Sequence, residues 1–263
     1  MDSRPVGFFD SGFGGASVLA KALSMLPNED YIYFGDDANA PYGDKSDGDI
    51  ARLTFAAMDA LASFGVKAIV LACNTATATC VGDVRKHLSI PVVSVEPAIK
   101  PACGTPGSGK ILMLGTAATT RLARYRALCA RMPRPERIVS VACPGLVERI
   151  ERGLIRPGDF DDLLDSYLSF LHGKQIDGIV LGCTHYVFIG EAISVYAKAR
   201  FTGECRLFDG NAATVRQLGR VLEKNGLVNG AGRARVEYHT SGDRARLEPL
   251  FRSLLIQSED RAF

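Results

Sequence analysis

The chain has 263 residues, 47% of them hydrophobic and 23% charged, which is globular composition with length enough for one large domain or two moderate ones. A net charge of +2, with basic residues spread along the chain, excludes the clustered Lys/Arg footprint of a nucleic-acid-binding protein, and no apolar run reaches the roughly 18 residues of a membrane span. Seven cysteines without a CxxC pair, and a start that runs straight into a strand with no cleavable signal pattern, indicate reduced thiols in the cytoplasm.

In chain order, "VGFF" (Val6 to Phe9) predicts a strand, "ASVLAKALSML" a helix and "YIYF" (Tyr31 to Phe34) a strand. A helix from about Asp49 to Ser63, the strand "AIVLA", a helix through Val84 and the strand "PVVSV" (Pro91 to Val95) follow. The pattern then restarts, since "KILMLGTAATTRL" (Lys110 to Leu122) has the strand-turn-helix form of "VGFFDSGFGGASVL". After it come "RIVSVACPGLVERI", a helix near Asp159 to Leu171, a strand ending at Cys183 and a helix near Gly190 to Ala199. "RLFDGNAATVRQLGRVLE" and a last strand and helix in "RARVEYHTSGDRARLEPLFRSLL" close the chain, with fraying expected beyond about Gln257.

Continuous aliphatic strands alternating with amphipathic helices predict parallel sheets covered on both faces. The restart predicts two similar α/β lobes, with the C-terminal quarter free to rejoin either. The Gly- and Pro-rich segment Pro101 to Lys110 is the best internal boundary by composition. The basic cluster Arg121 to Arg137, with Arg124, Arg126, Arg131 and Arg134, reads as a solvated helix face and loop.

Ligands of open parallel sheets bind beyond the carboxyl ends of the strands. There "IVLACNTAT" and "IVLGCTHYV" place Cys73 and Cys183, each at the start of a turn into a helix, where a thiolate is favoured. Two lobes facing across a cleft would put one thiol on each side of a bound molecule. One would take a proton from a tetrahedral carbon and the other return it to the opposite face.

Cys143, in "VACPGLVE", is the strongest competitor, but "YIYFGDD" in the other lobe has no matching thiol, and it reads as structural. Cys80, Cys103, Cys129 and Cys205 read as packing residues, as do His87, His172 and His239. His185, two residues past Cys183, is placed to accept or relay its proton, and no metal-ligand spacing is present.

Other strand ends add polar groups. "FFDSGFGG" supplies Asp10 and Ser11, with three glycines that could turn amides toward a carboxylate, although the alternative for Asp10 is a helix N-cap. "GDDANAPYGDKS" supplies Tyr42 and Gly43, while Asn74, Thr75 and Thr184 flank the two cysteines. Neutral donors of this kind suit a zwitterionic amino acid.

Together, "GFFDSGFGGASV", "YFGDDANAPYGDKS", "ACNTAT", "PAIKPA", "LGTAATTR", "ACPGLVERIERG" and "LGCTHY" resemble the cofactor-independent aspartate/glutamate racemase family over nearly the whole chain. "FDSG" and "CTHY" favour its glutamate branch, because the aspartate branch usually has a glutamate where His185 stands.

The resemblance implies an α/β protein of two pseudo-two-fold-related lobes, each a mainly parallel sheet flanked by helices, with the active site in the cleft. The lobes would span 1–97 plus 209–263, and 98–208. It implies interconversion of L- and D-glutamate without pyridoxal phosphate, metal or other cofactor, supplying D-glutamate for peptidoglycan. A homodimer is implied, with no nucleic-acid or membrane partner.

By the same resemblance Cys73 and Cys183 are the catalytic thiols, with Asp10 near the first, His185 near the second and Glu151 supporting that histidine. Substrate contacts carry over to Asp10, Ser11, Tyr42, Gly43, Asn74, Thr75, Thr116, Thr119, Thr184 and His185. The chain departs from the family where Val187 and Phe188 replace the usual "PLL", adding bulk near the second thiol, and where Asp209 stands in "FDGNAAT". Its start close to the first strand implies no activation by a cell-wall precursor. Two other readings fit parts of the sequence: a non-catalytic amino-acid-binding protein, and a relative acting on aspartate, a hydantoin or an arylmalonate.

Overall fold

Residues 1–259 are described by a computed structural model, in which the chain divides into two compact units, Met1–Glu96 with the chain from Asn211 onward, and Pro97–Gly210. The first unit runs β1 (Val6–Asp10), α1 (Ala16–Met25), β2 (Tyr31–Gly35), α2 (Asp47–Ser63), β3 (Ala68–Leu71), α3 (Asn74–His87) and β4 (Val92–Ser94). The second unit runs α4 (Ile99–Cys103), β5 (Lys110–Gly115), α5 (Ala117–Arg121), α6 (Ala123–Ala130), β6 (Ile138–Ala142), α7 (Leu146–Glu151), α8 (Asp161–Leu168), β7 (Ile176–Leu181), α9 (Gly190–Arg200) and β8 (Arg206–Phe208). The chain then completes the first unit with α10 (Asn211–Lys224), β9 (Val236–Thr240) and α11 (Arg244–Glu259). The expected fraying beyond Gln257 falls largely outside the described residues; α11 itself continues to Glu259.

Both sheets are wholly parallel, in the orders β4-β3-β1-β2-β9 and β6-β5-β7-β8. Written from the other edge, the second order is β8-β7-β5-β6, so β5, β6, β7 and β8 repeat the places of β1, β2, β3 and β4. The aliphatic strands β1, β3 and β7 are buried along their whole length, as sheets covered on both faces require.

β9 joins the first sheet beside β2, pairing Tyr33 with Tyr238. Phe251 of α11 packs on both tyrosines with ring centroids 4.5 Å apart in each case. That aromatic cluster assigns the C-terminal segment, which the pattern alone left open, to the first unit. Among the described residues no helix is long and apolar enough to cross a membrane.

Two composition-based expectations fail for one reason. The Gly/Pro-rich segment Pro101 to Lys110 is not the boundary: the division falls at Glu96/Pro97, and the segment starts within α4 and is held inside the second unit. Nor is Arg137 part of a solvated face. It is 4% exposed, and its guanidinium donates to Asp177 Oδ2 at 2.8 Å and to the Gly109 carbonyl at 2.7 Å. The Gly109 amide also donates to Asp177 Oδ2 at 2.7 Å, so one buried ion pair closes the loop onto β7. Arg137→Met strands a buried carboxylate and is expected to destabilise the protein by about 3 kcal/mol, measured by denaturant unfolding. A loss of a few tenths of a kcal/mol would show that the pair carries no such role.

Candidate active site

A sheet whose connections change direction leaves a crevice between the two strands that leave the switch point. In the first unit that crevice lies between β1 and β3, and in the second between β5 and β7. β1 ends at Asp10 and β3 leads into Cys73; β5 leads into Thr116 and β7 into Cys183. The sequence-predicted Asp10, Cys73, Thr116 and Cys183 therefore fall at topologically equivalent strand ends of the two units.

In the first unit, Cys73 is the N-cap of α3, and its Sγ accepts from the Ala76 amide at 3.5 Å. The positive end of a fourteen-residue helix stabilises negative charge on that sulfur. The thiol donates to Ser11 Oγ at 3.5 Å, and Ser11 in turn donates to Asp10 Oδ1 at 3.3 Å. Cys73, Ser11 and Asp10 thus form a buried chain of groups able to exchange hydrogen.

Asp10 is fully buried and is not a helix N-cap; that position of α1 belongs to Gly15. The Gly12 amide donates to Asp10 Oδ1 at 3.1 Å, so it is committed within the loop and not left for a carboxylate. Gly15 is required by close approach, since a Cβ there would lie 2.9 Å from Asp10 Cβ and 3.1 Å from Ala72 Cβ. Tyr33 fixes the same loop by donating to the Gly12 carbonyl at 2.7 Å.

Tyr42 and Gly43 are buried in a short 3-10 turn. The Tyr42 hydroxyl donates to Asp36 Oδ2 at 2.6 Å, and burial, reinforced by Asp36, raises its pKa far above the ordinary phenol range. Tyr42 is therefore a neutral phenol whose proton is already engaged. Asp36 also accepts from Asn39 Nδ2 at 3.0 Å and Ser241 Oγ at 2.6 Å. Asp36, within "GDDANAPYG", is a hub that carries no signal in the sequence, because only the fold brings Ser241 to it. Asn74 and Thr75 form the first turn of α3 beside Cys73, and Asn74 Oδ1 is a buried acceptor without a hydrogen-bond partner.

In the second unit Cys183 departs from the expectation of a thiol at an α-helix N-terminus. A 3-10 segment, Thr184–Ile189, follows it, α9 begins only at Gly190, and the Cys183 side chain caps nothing. The short turn instead brings His185 back so that Nδ1 lies 3.9 Å from Cys183 Sγ. On the other edge of the ring, Nε2 lies 3.2 Å from Glu151 Oε1 at the end of α7. Burial disfavours the imidazolium, but the contacts to Cys183 and Glu151 outweigh it and raise the His185 pKa well above its ordinary value. One thiol is thus served by helix amides and the other by a histidine.

Thr116 caps α5, its hydroxyl accepting from the Thr119 amide at 3.2 Å and donating to Thr119 Oγ1 at 3.0 Å. Thr184 is buried next to Cys183, and Val187 and Phe188 are buried further along the same 3-10 segment.

Cys143 behaves differently from both candidate thiols. Burial pushes its pKa up to about 12, and its carbonyl accepts from the Tyr186 hydroxyl at 3.0 Å, which makes it a packing residue at the end of β6. Burial likewise raises the thiols of Cys80, Cys103, Cys129 and Cys205. Among the described residues no cluster of three His, Cys, Asp or Glu side chains is arranged to hold a metal.

The sequence model of the Asp/Glu/Hydantoin racemase family matches residues 15–218. The chain is 44% identical over 231 residues to a glutamate racemase of Clostridium novyi (strain NT), covering 87% of each. It is 41% identical over 228 residues to one of Clostridium perfringens, covering 86% of each. Among solved structures, the glutamate racemase of Francisella tularensis in complex with D-glutamate aligns with a TM-score of 0.83 at 29% identity, covering 97% of this chain and 95% of that one. The Thermus thermophilus glutamate racemase in complex with β-chloro-D-alanine aligns with a TM-score of 0.80 at 34% identity, covering 97% and 94%. With most of its length inside the matched region, and with a thiol after the third strand of each repeated sheet, the chain belongs to the Asp/Glu/Hydantoin racemase family.

Proposed function

We propose that this chain interconverts L- and D-glutamate, with Cys73 and Cys183 acting as the two proton-transfer groups and no cofactor taking part. The observation that carries this reading is the pair of buried thiols at equivalent switch points of a repeated fold, one 3.5 Å from the Ala76 amide and the other 3.9 Å from the His185 ring. Inversion at the α-carbon needs a base on one face and an acid on the other. A thiolate takes the α-proton, the second cysteine delivers its own proton to the opposite face, and the two exchange states for the return direction.

The α-hydrogen is a weak acid, so the developing carbanion needs donors aimed at the substrate carboxylate in a site that excludes water. Thr75, Thr119 and Thr184 are the candidate hydroxyl donors, with Thr116 orienting Thr119 through its own hydrogen bond and Ser11 linking Cys73 to Asp10. The unpartnered Asn74 Oδ1 matches the substrate ammonium, which supplies the N–H it lacks. Substrate-binding roles for Tyr42 and Gly43 are proposed through the shape of their loop, and those of Asp10 and His185 through the adjacent thiols. D-Glutamate supply for peptidoglycan, a cytoplasmic location and a homodimeric assembly are proposed on family resemblance, the location supported also by seven thiols with no disulfide.

Incubation with L-glutamate in heavy water tests the two-thiol route. A thiol carries one proton, so the D-product should bear α-deuterium from the first turnover while recovered L-glutamate stays protiated. Deuterium appearing equally fast in the recovered substrate would point to a single exchanging base and overturn the assignment. L-Aspartate is expected to give neither signal, and its faster racemisation would move the enzyme to the aspartate branch. Cys143→Ala should retain parental turnover, since that thiol is held neutral by burial; an inactive variant would reopen the choice of pair.

A further inference from the structure

We infer that Arg149 is a positioning residue for the reaction: by clamping α7 to the start of α8 it holds Glu151 against His185. The inference rests on the proposed roles of Glu151 and His185 and extends them to a residue outside the site. α7 has six residues, too few to be stable alone, and a left-handed glycine stands at each end, Gly145 at φ 85° and Gly153 at φ 84°. Such a helix is free to shift unless its surroundings fix it.

Its apolar side supplies part of the restraint. Leu146, Val147 and Ile150 are buried, and α7 packs on the Thr184–Ile189 segment that carries His185. Apolar packing is non-directional, however, and leaves rotation and sliding of a short helix poorly defined. The directional contacts come from Arg149. Its Nη1 and Nη2 donate to the two carboxylate oxygens of Asp162, each at 2.6 Å, and Nη1 also donates to the Asp159 carbonyl at 2.8 Å. The planar fork fixes orientation as well as distance. At the other end, the Tyr167 hydroxyl donates to the Pro144 carbonyl just before Gly145.

Glu151 lies two residues beyond Arg149 on this clamped turn. Its carboxylate is 25% exposed and reaches a nearly buried imidazole at 3.2 Å. A partly exposed carboxylate released from that position would turn to water, and His185 would lose a charged neighbour. The Asp162 end of the fork is 67% exposed, so the pair adds little to folding stability and its effect should show in turnover.

The test is a double-mutant cycle with L-glutamate. Arg149→Ala and Asp162→Asn are each expected to lower kcat about tenfold, with KM within about twofold and a melting temperature within about 4 °C of the parent. In a Glu151→Gln background the added Arg149→Ala change should cost less than about twofold, because the group it positions is already gone. A full tenfold loss persisting in that background would show Arg149 acting elsewhere and overturn the inference. Parental kcat in both Arg149→Ala and Asp162→Asn would overturn it as well. If Glu151→Gln itself keeps parental kcat, the proposed role of Glu151 fails and takes the clamp with it, an outcome distinguishable from the other two.

Discussion

Cys73→Ala and Cys183→Ala are each expected to lower kcat/KM by about 10⁴-fold or more, in both directions. Each direction uses one sulfur as base and the other as acid, so neither variant retains a complete pathway for inversion. The symmetry of the loss is thermodynamic. The enantiomers have equal free energy in an achiral medium, so the forward and reverse kcat/KM must stay equal in any variant. Combining the two substitutions should cost little beyond either alone, because the thiols act as a unit.

Misfolding is separable from lost chemistry. Cys73 caps α3 through Sγ, and serine is a stronger N-cap than alanine, so Cys73→Ser should keep the helix while remaining a far weaker base. Turnover within about tenfold of the parent in either alanine variant would remove the two-thiol mechanism, since a contribution that small is below what a proton-transfer group supplies.

What the sequence made legible here is what period and strand ends encode. The aliphatic runs that became β1, β3, β5 and β7 are buried on both faces, and their repetition predicts two similar α/β lobes, while the strand order within each sheet is visible only in the fold. Cys73 and Cys183 were legible because both follow such runs. Their surroundings were less so. A 3-10 turn and an α-helix start leave the same mark in "CTHYVF", so the sequence offers His185 beside Cys183 but only the backbone shows that Cys183 lacks the helix amides that Cys73 has.

Contacts between distant residues were invisible for a different reason. Arg137 meets Asp177 forty residues away, and Ser241 meets Asp36 across 205. Neither partner carries a local signal of the other, and an arginine among five others reads as surface until the fold buries it. Glu151 stands between these cases. Helical pattern places it on a surface, family resemblance gives it a role, and the packing of α7 on the 184–189 segment brings it to the imidazole.

That imidazole carries the second large effect. His185→Asn is expected to lower kcat/KM about 10³-fold in both directions, while kcat and KM shift by unequal amounts in the two directions. Asparagine keeps a donor near Cys183 but cannot carry the positive charge that offsets a thiolate with no helix N-terminus behind it. The sign of the pH dependence follows from the raised pKa. Burial opposes the charge on His185, but Cys183 and Glu151 both face it and hold its proton beyond the ordinary imidazole range. The imidazolium contribution is therefore fully present below that range and lost as pH rises through the raised value, which places it on the alkaline limb of the rate profile.

Glu151→Gln removes an anion beside the ring and should move that limb to lower pH with a loss of about thirtyfold or less. His185→Asn should abolish that limb. An unchanged alkaline limb in His185→Asn, or a rate loss under about threefold, would mean that Cys183 is activated by something other than its neighbouring ring. The asymmetry between the two half-sites would then have no chemical consequence.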